Sequence, residues 1–183
     1  MILFINGAFG VGKSTVAALL KERIRGSVIF DPEEIGFMLR AMIPEEKKDA
    51  HERTGDFQDL DLWRTMTALT LGEFKKRYAC DLIVPMTLKN PRYFEYLFKT
   101  AESADGKALH VCLEAPMECV HARLLTRGDA PGSWAFKQTD SCLRGFKELK
   151  PTISIDAESR SPAQIAEAIM AVLAYEPSSA VNR

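Results

Sequence analysis

The chain has 183 residues, with 24 Lys and Arg against 25 Asp and Glu, a formal net charge of -1, and 46% hydrophobic beside 27% charged residues. That is globular composition at the length of one ordinary domain, and it argues against a disordered chain. No stretch approaches the roughly eighteen uninterrupted apolar residues that span a bilayer. The charge balance, with no local basic stripe, argues against a nucleic-acid partner.

In chain order, β-like runs alternate with helical patterns. The run Ile2 to Ile5 has no basic residue ahead of it and stops at Asn6-Gly7, too short for a signal-peptide core. A helix is expected from about Lys13 to Arg25, then a strand at Val28 to Phe30 and a helix opening at Asp31-Pro32. Leu82 to Val84 reads as a strand ahead of a helix with Asn90 as cap and Pro91 at its first position. Leu109 to Leu113 precedes a helix from about Pro116, and Ile153 to Ile155 leads through Ser161-Pro162 into a last helix ending before Pro177. Five βα units with continuous apolar strands predict an α/β fold. Such a fold is a doubly wound parallel sheet in three layers, covered by helices on both faces.

The segment 44–61 is polar and without apolar period, and Gly128 to Ser133 is a second loop-like insertion. Both read as mobile elements at the ligand-binding edge, a flap over 44–61 and a lid over 128–137. The expected organisation is a single domain over 1–176 with a frayed tail at 177–183. Cys80, Cys112, Cys119 and Cys142 form no CxxC pair, which suits the cytoplasm. His110, Cys112, Cys119 and His121 raise the idea of zinc. However, Cys119 and His121 lie two apart on an expected helix and point to different sides, so the group reads as structural.

The strongest chemical signal is Gly7-Ala8-Phe9-Gly10-Val11-Gly12-Lys13-Ser14, a GxxxxGK[ST] sequence between a strand and a helix. Glycines let backbone N–H groups turn toward phosphate oxygens, the helix N-terminus adds its positive end, Lys13 reaches the β and γ phosphates, and Ser14 ligates Mg²⁺. ATP and Mg²⁺ are the expected cofactors, held by residues Gly7 through Thr15. Asp31, ending the second strand, is placed either to order the Mg²⁺ shell and take a proton or to cap the following helix. Arg123 and Arg127 share a helix face just before the lid and are expected to stabilise phosphate charge, with Arg123 also on the nucleotide. The third strand runs Leu82 to Thr87 without an acid, which weakens a motor-type ATPase reading and leaves Asp31 as the best acid, as in small-molecule kinases.

For the acceptor, the segments after the second and third strands supply Asp31, Phe37, Arg40, Pro85 and Met86. Phe37 and Trp63 are expected as apolar walls for a nucleoside ring, ordinary core packing being the alternative, and Arg40 as a polar contact with surface solvation as its alternative. Trp134, beside the lid, is equally open to ligand stacking or packing.

The stretches at 2–15, 30–40 (FDPEEIGFMLR), 59–64 (DLDLWR), 82–87 (LIVPMT) and 123–142 (RLLTRGDAPGSWAFKQTDSC) together resemble the bacterial tunicamycin-resistance protein family, a branch of the P-loop kinase-like proteins. The resemblance covers most of residues 2 to 150. It implies a nucleoside-kinase-like fold of sheet order 2-3-1-4-5, ATP at Gly7 through Thr15, lid arginines at Arg123 and Arg127, and protection from a uridine-containing antibiotic. Phosphorylation of the drug, ATP-dependent sequestration of it, and a kinase acting on a cellular nucleoside, nucleotide or sugar all stand open at this point. In each the partner is a small molecule.

Overall fold

The structure, a computed structural model, describes residues 1–175. Strand β1 (Ile2–Gly7) is buried along its whole length, because a parallel neighbour flanks it on each edge and helices cover its two faces. Its partners are β3 (Leu82–Met86), with Phe4 opposite Val84, and β4 (Ala108–Glu114), with Phe4 opposite His110. The short β2 (Val28–Ile29) pairs with β3, and β5 (Ile153–Asp156) with β4. The sheet is therefore wholly parallel in the order β2-β3-β1-β4-β5, the order implied by the resemblance. The connection after β1 leads toward β2 on one side and the connection after β4 toward β5 on the other, and in open α/β sheets ligands bind outside the strand C-termini at such a switch point.

Seven α-helices connect the strands among the described residues. Helices α1 (Lys13–Arg23) and α7 (Pro162–Tyr175) pack together, as do α3 (Asp61–Tyr78) and α4 (Pro91–Asp105), and helices cover both faces of the sheet. Helix starts follow their capping chemistry. In α2 (Pro32–Met42) the Asp31 carboxylate accepts from Glu33 N at 2.9 Å with Pro32 at the first position. In α4 the Asn90 side chain accepts from Arg92 N at 3.0 Å with Pro91 next.

Two helices that the sequence reading did not name follow its two insertions. Helix α3 carries Trp63, Ala68 and Leu71 inward but also Leu62 and Leu69 outward, so its apolar period is smeared and gave little signal. The segment ahead of it is not a featureless flap: it holds three 3-10 turns, Glu45–Lys47, Ala50–Glu52 and Phe57–Asp59. Helix α5 (Met117–Arg127) ends at Gly128, and α6 (Trp134–Phe146) begins inside the expected lid, leaving 128–133 as the connecting turn. The expected tail at 177–183 lies outside the described residues.

Trp63 is the clearest packing correction. The sequence offered it as a ligand wall or as core, and it is core: it is 1% exposed, its ring lies 5.7 Å from that of Phe57, and its Nε1 donates to Pro32 O at 3.0 Å. It joins α3 to the start of α2. Trp63→Ala should therefore cost about 3–5 kcal/mol of stability through the cavity it leaves and the orphaned Pro32 carbonyl. Chemical denaturation checks this; a loss under about 1 kcal/mol would mean the ring is not core.

Candidate functional site

Past the C-terminal ends of the strands lies a cavity of about 800 Å³, bounded by the Gly7 to Thr15 loop, α2, the 3-10 turn at 57–59 and the α5–α6 turn. That volume suits a small-molecule ligand of nucleotide size. The phosphate-loop wall is Phe9, Gly10, Gly12, Lys13, Ser14 and Thr15. Gly12 takes φ 111° and ψ 11° at the N-cap of α1, a left-handed conformation that disfavours a side chain, and no side chain caps the helix. The first N–H groups of α1 are thus left for an anion.

Lys13 Nζ donates to Gly7 O at 3.0 Å and to Ala8 O at 2.8 Å, so the ammonium is held across the loop. Burial lowers its pKa to about 8, with the Glu33 carboxylate working in the opposite direction. Gly7 and Ala8 contribute their carbonyls and do not line the cavity. Val11 is buried, and its carbonyl accepts from Arg123 Nη1 at 3.0 Å.

The acid that lines the cavity is Glu33, and of the two readings of Asp31 the structure shows the cap. Asp31 is exposed, caps α2 and does not line the cavity, whereas Glu33, two residues on, does. Burial raises the Glu33 pKa above the ordinary glutamate range and Asp31 adds to the rise, while Lys13 and Arg127 oppose it. Ser14 and Glu33 bring a hydroxyl and a carboxylate to the cavity lining, donors of the kind Mg²⁺ takes, so the residues present fit the expected metal.

Arg123 and Arg127 both line the cavity, as their spacing predicted. Their duties differ. Arg123 also donates to Ala157 O at 2.6 Å, tying the phosphate loop to the segment after β5. Arg127 is half-exposed and paired with Asp129 at 2.6 Å, a partner it can exchange for phosphate.

At the other end of the cavity stand Phe37 (49% exposed), Phe57 and Arg40, whose guanidinium carbon lies 5.2 Å from the Phe57 ring centroid. Phe37 and Arg40 both line the cavity. Pro85 and Met86 are buried within β3 and do not reach the cavity, because the strand is covered on both faces. Trp134 lines the cavity edge-on to Phe9, centroids 4.9 Å apart. His110 and Cys112 lie in the core, where burial holds the imidazole down to about 4 and pushes the thiol up to about 12.

Several positions at or beside the cavity escaped sequence reasoning. Glu33 stands two residues past the cap as another acid, but nothing in the sequence separates it from Asp31. Phe57 and Gln58 sit in the aperiodic flap and gave no signal. Asn6, fully buried, holds the root of the phosphate loop: its Oδ1 accepts from Gly7 N at 2.9 Å and Leu88 N at 3.0 Å, and its Nδ2 donates to Leu88 O at 2.9 Å.

A parallel sheet of this order with a GxxxxGK[ST] loop at the switch point defines a P-loop kinase-like protein. Among solved structures, the chain is similar to the tunicamycin resistance protein of Deinococcus radiodurans, with 29% identity over 94% of each chain and a TM-score of 0.75. The resemblance read from the motifs is thereby borne out. A sugar kinase from a Janibacter species is 18% identical at TM-score 0.67 over 99% of this chain and 98% of that one. Shikimate kinase from Acinetobacter baumannii, solved with shikimate, is 19% identical at TM-score 0.61 over 97% and 95%. The two kinases share the fold. No protein-family model and no curated protein matches the chain. No helix among the described residues is long and apolar enough to cross a membrane.

The Lys13 ammonium predicts a pH dependence. With its pKa near 8 in the free chain, the charge is present at lower pH and lost as pH rises through that value. Affinity for a triphosphate should fall on the alkaline side, and titration of Lys13→Met should show a weaker, flatter profile. An unchanged profile in the variant would exclude Lys13 as the source.

Proposed function

We propose that the chain is an ATP-dependent small-molecule phosphotransferase, or kinase, that protects cells from tunicamycin by phosphorylating it in the cytoplasm, the compartment its free cysteines suit. The observation that carries the reading is that Lys13, Ser14, Glu33 and Arg127 line one cavity with Phe37 and Phe57. The likeness to the Deinococcus protein supports the drug as acceptor. The fold shared with sugar and shikimate kinases supports the alternative, a kinase for a cellular nucleoside, nucleotide or sugar.

ATP bound with Mg²⁺ supplies the transferable γ-phosphoryl group. The backbone N–H groups at Gly12 to Thr15 and the Lys13 ammonium would hold the phosphates, and Ser14 would offer its oxygen to the metal. The Glu33 carboxylate, whose pKa burial raises above the ordinary glutamate range, orients the acceptor hydroxyl and in its ionised form accepts the proton. Arg127 and Arg123 complement the charge on the transferring oxygens. Phe37 and Phe57 give the nucleoside apolar ring contacts.

The test incubates the chain with ATP, Mg²⁺ and tunicamycin and weighs the drug by mass spectrometry. A phosphorylated drug is expected, with Lys13→Ala losing ATP binding. Glu33→Gln should keep ATP binding and fold while turnover drops about 10²–10⁴-fold, and Asp31→Asn should retain activity because Asn caps as well as Asp. The native rate should fall on the acid side at a pH above the ordinary glutamate range as Glu33 gains its proton. Drug bound tightly but unmodified would replace transfer by sequestration. A drug neither bound nor modified would leave the metabolite kinase.

A further inference from the structure

One polar side chain in the flap has an environment that constrains the ligand. Gln58 is 9% exposed and lines the same cavity as Lys13 and Glu33. Its amide is not free to turn. Nε2 donates to Thr87 O at 2.8 Å, and since a carbonyl oxygen only accepts, the amide NH₂ faces Thr87 and the amide carbonyl faces away. The backbone of the residue is fixed as well: its N–H donates to Asp56 Oδ1 at 3.0 Å, and its carbonyl accepts from Arg64 Nη1 at 2.9 Å. Thr87 is anchored in turn, because both backbone groups of Leu88 are taken by Asn6.

Gln58 Oε1 has no hydrogen-bond partner among the described residues and is not one of the sealed polar atoms. It is an acceptor with a preset direction, and it favours a ligand that brings an N–H or O–H over one of the same shape that does not. The groups around it narrow the choice. Phe37 and Phe57 meet edge to face at 5.9 Å between centroids and offer apolar ring surface. Arg40, over the Phe57 ring, brings N–H donors to the same end of the cavity.

We propose that Gln58 is a specificity-determining residue, its Oε1 accepting from the ring N–H of a uracil-type base, a planar ring whose N–H lies between two carbonyls. Aromatic surface suits the ring faces, the fixed acceptor suits the N–H, and the Arg40 donors suit the flanking carbonyls. The assignment rests on the nucleoside reading above and gives it a residue-level cause. Gln58 touches the base and takes no part in the phosphoryl chemistry.

Calorimetric titration of the full chain with uridine and with 3-methyluridine, which carries a methyl in place of the ring proton, tests the assignment. The native chain is expected to bind uridine about fivefold to tenfold more tightly, the usual size of one hydrogen bond. Gln58→Met should abolish that preference while keeping affinity for a non-hydrolysable ATP analogue. Should the variant fail to fold, the two nucleosides on the native chain still decide. Equal affinities, or no binding of either nucleoside, would overturn the proposal. So would a preference that survives Gln58→Met, since the methyl would then act by size alone. Binding of the ATP analogue and of tunicamycin, followed in the same samples, reports separately on the phosphotransferase reading.

Discussion

The buried side chain of Asn6 is the constraint on which the site depends. Three hydrogen bonds, from Gly7 N and Leu88 N to its Oδ1 and from its Nδ2 to Leu88 O, lock the end of β1 to the loop after β3. A buried amide so fully engaged is rigid, because leaving any of its partners unpaired costs about 1–3 kcal/mol. The phosphate loop starts on one side of this clamp, and Thr87, which fixes Gln58, stands on the other. The glycine-rich loop and the Gln58 side of the cavity are thus referenced to one side chain at the centre of the sheet.

Electrostatics divide the cavity in a matching way. Lys13 comes from the loop and Arg123 and Arg127 from the end of α5, while Glu33 lines the same cavity as Phe37 and Phe57 and feels the charges of Lys13 and Arg127. Burial makes the Lys13 ammonium easier to deprotonate and the Glu33 carboxylate harder to ionise. Both groups are therefore destabilised as charges in the free chain, and each gains from a ligand that supplies the opposite partner, phosphate for the lysine and a metal or hydroxyl donor for the glutamate. Close packing holds this arrangement: a Cβ at Gly36 would lie 2.5 Å from the Phe57 ring, so α2 and the flap approach as nearly as a glycine allows.

The parallel sheet was legible because β1, β3 and β4 are continuous apolar runs, and helix starts were legible where Asp31-Pro32 and Asn90-Pro91 carry caps. The phosphate loop was legible because its spacing and its strand-to-helix context are dictated by backbone geometry. The acceptor side was less so. Glu33 and Asp31 are chemically alike in the sequence, and only burial distinguishes them. Trp63 looked equally apt for ligand or core until its indole N–H met Pro32. Phe57 and Gln58 sit in a 3-10 turn without period, so their place at the cavity follows from long-range packing alone.

The account is tested most directly by a crystal structure of the chain with a non-hydrolysable ATP analogue, Mg²⁺ and tunicamycin. It predicts the triphosphate on the loop from Gly7 to Thr15 and a drug hydroxyl about 2.6–3.2 Å from a Glu33 carboxylate oxygen. A drug bound outside the cavity, or one whose hydroxyls all lie away from Glu33, would contradict it.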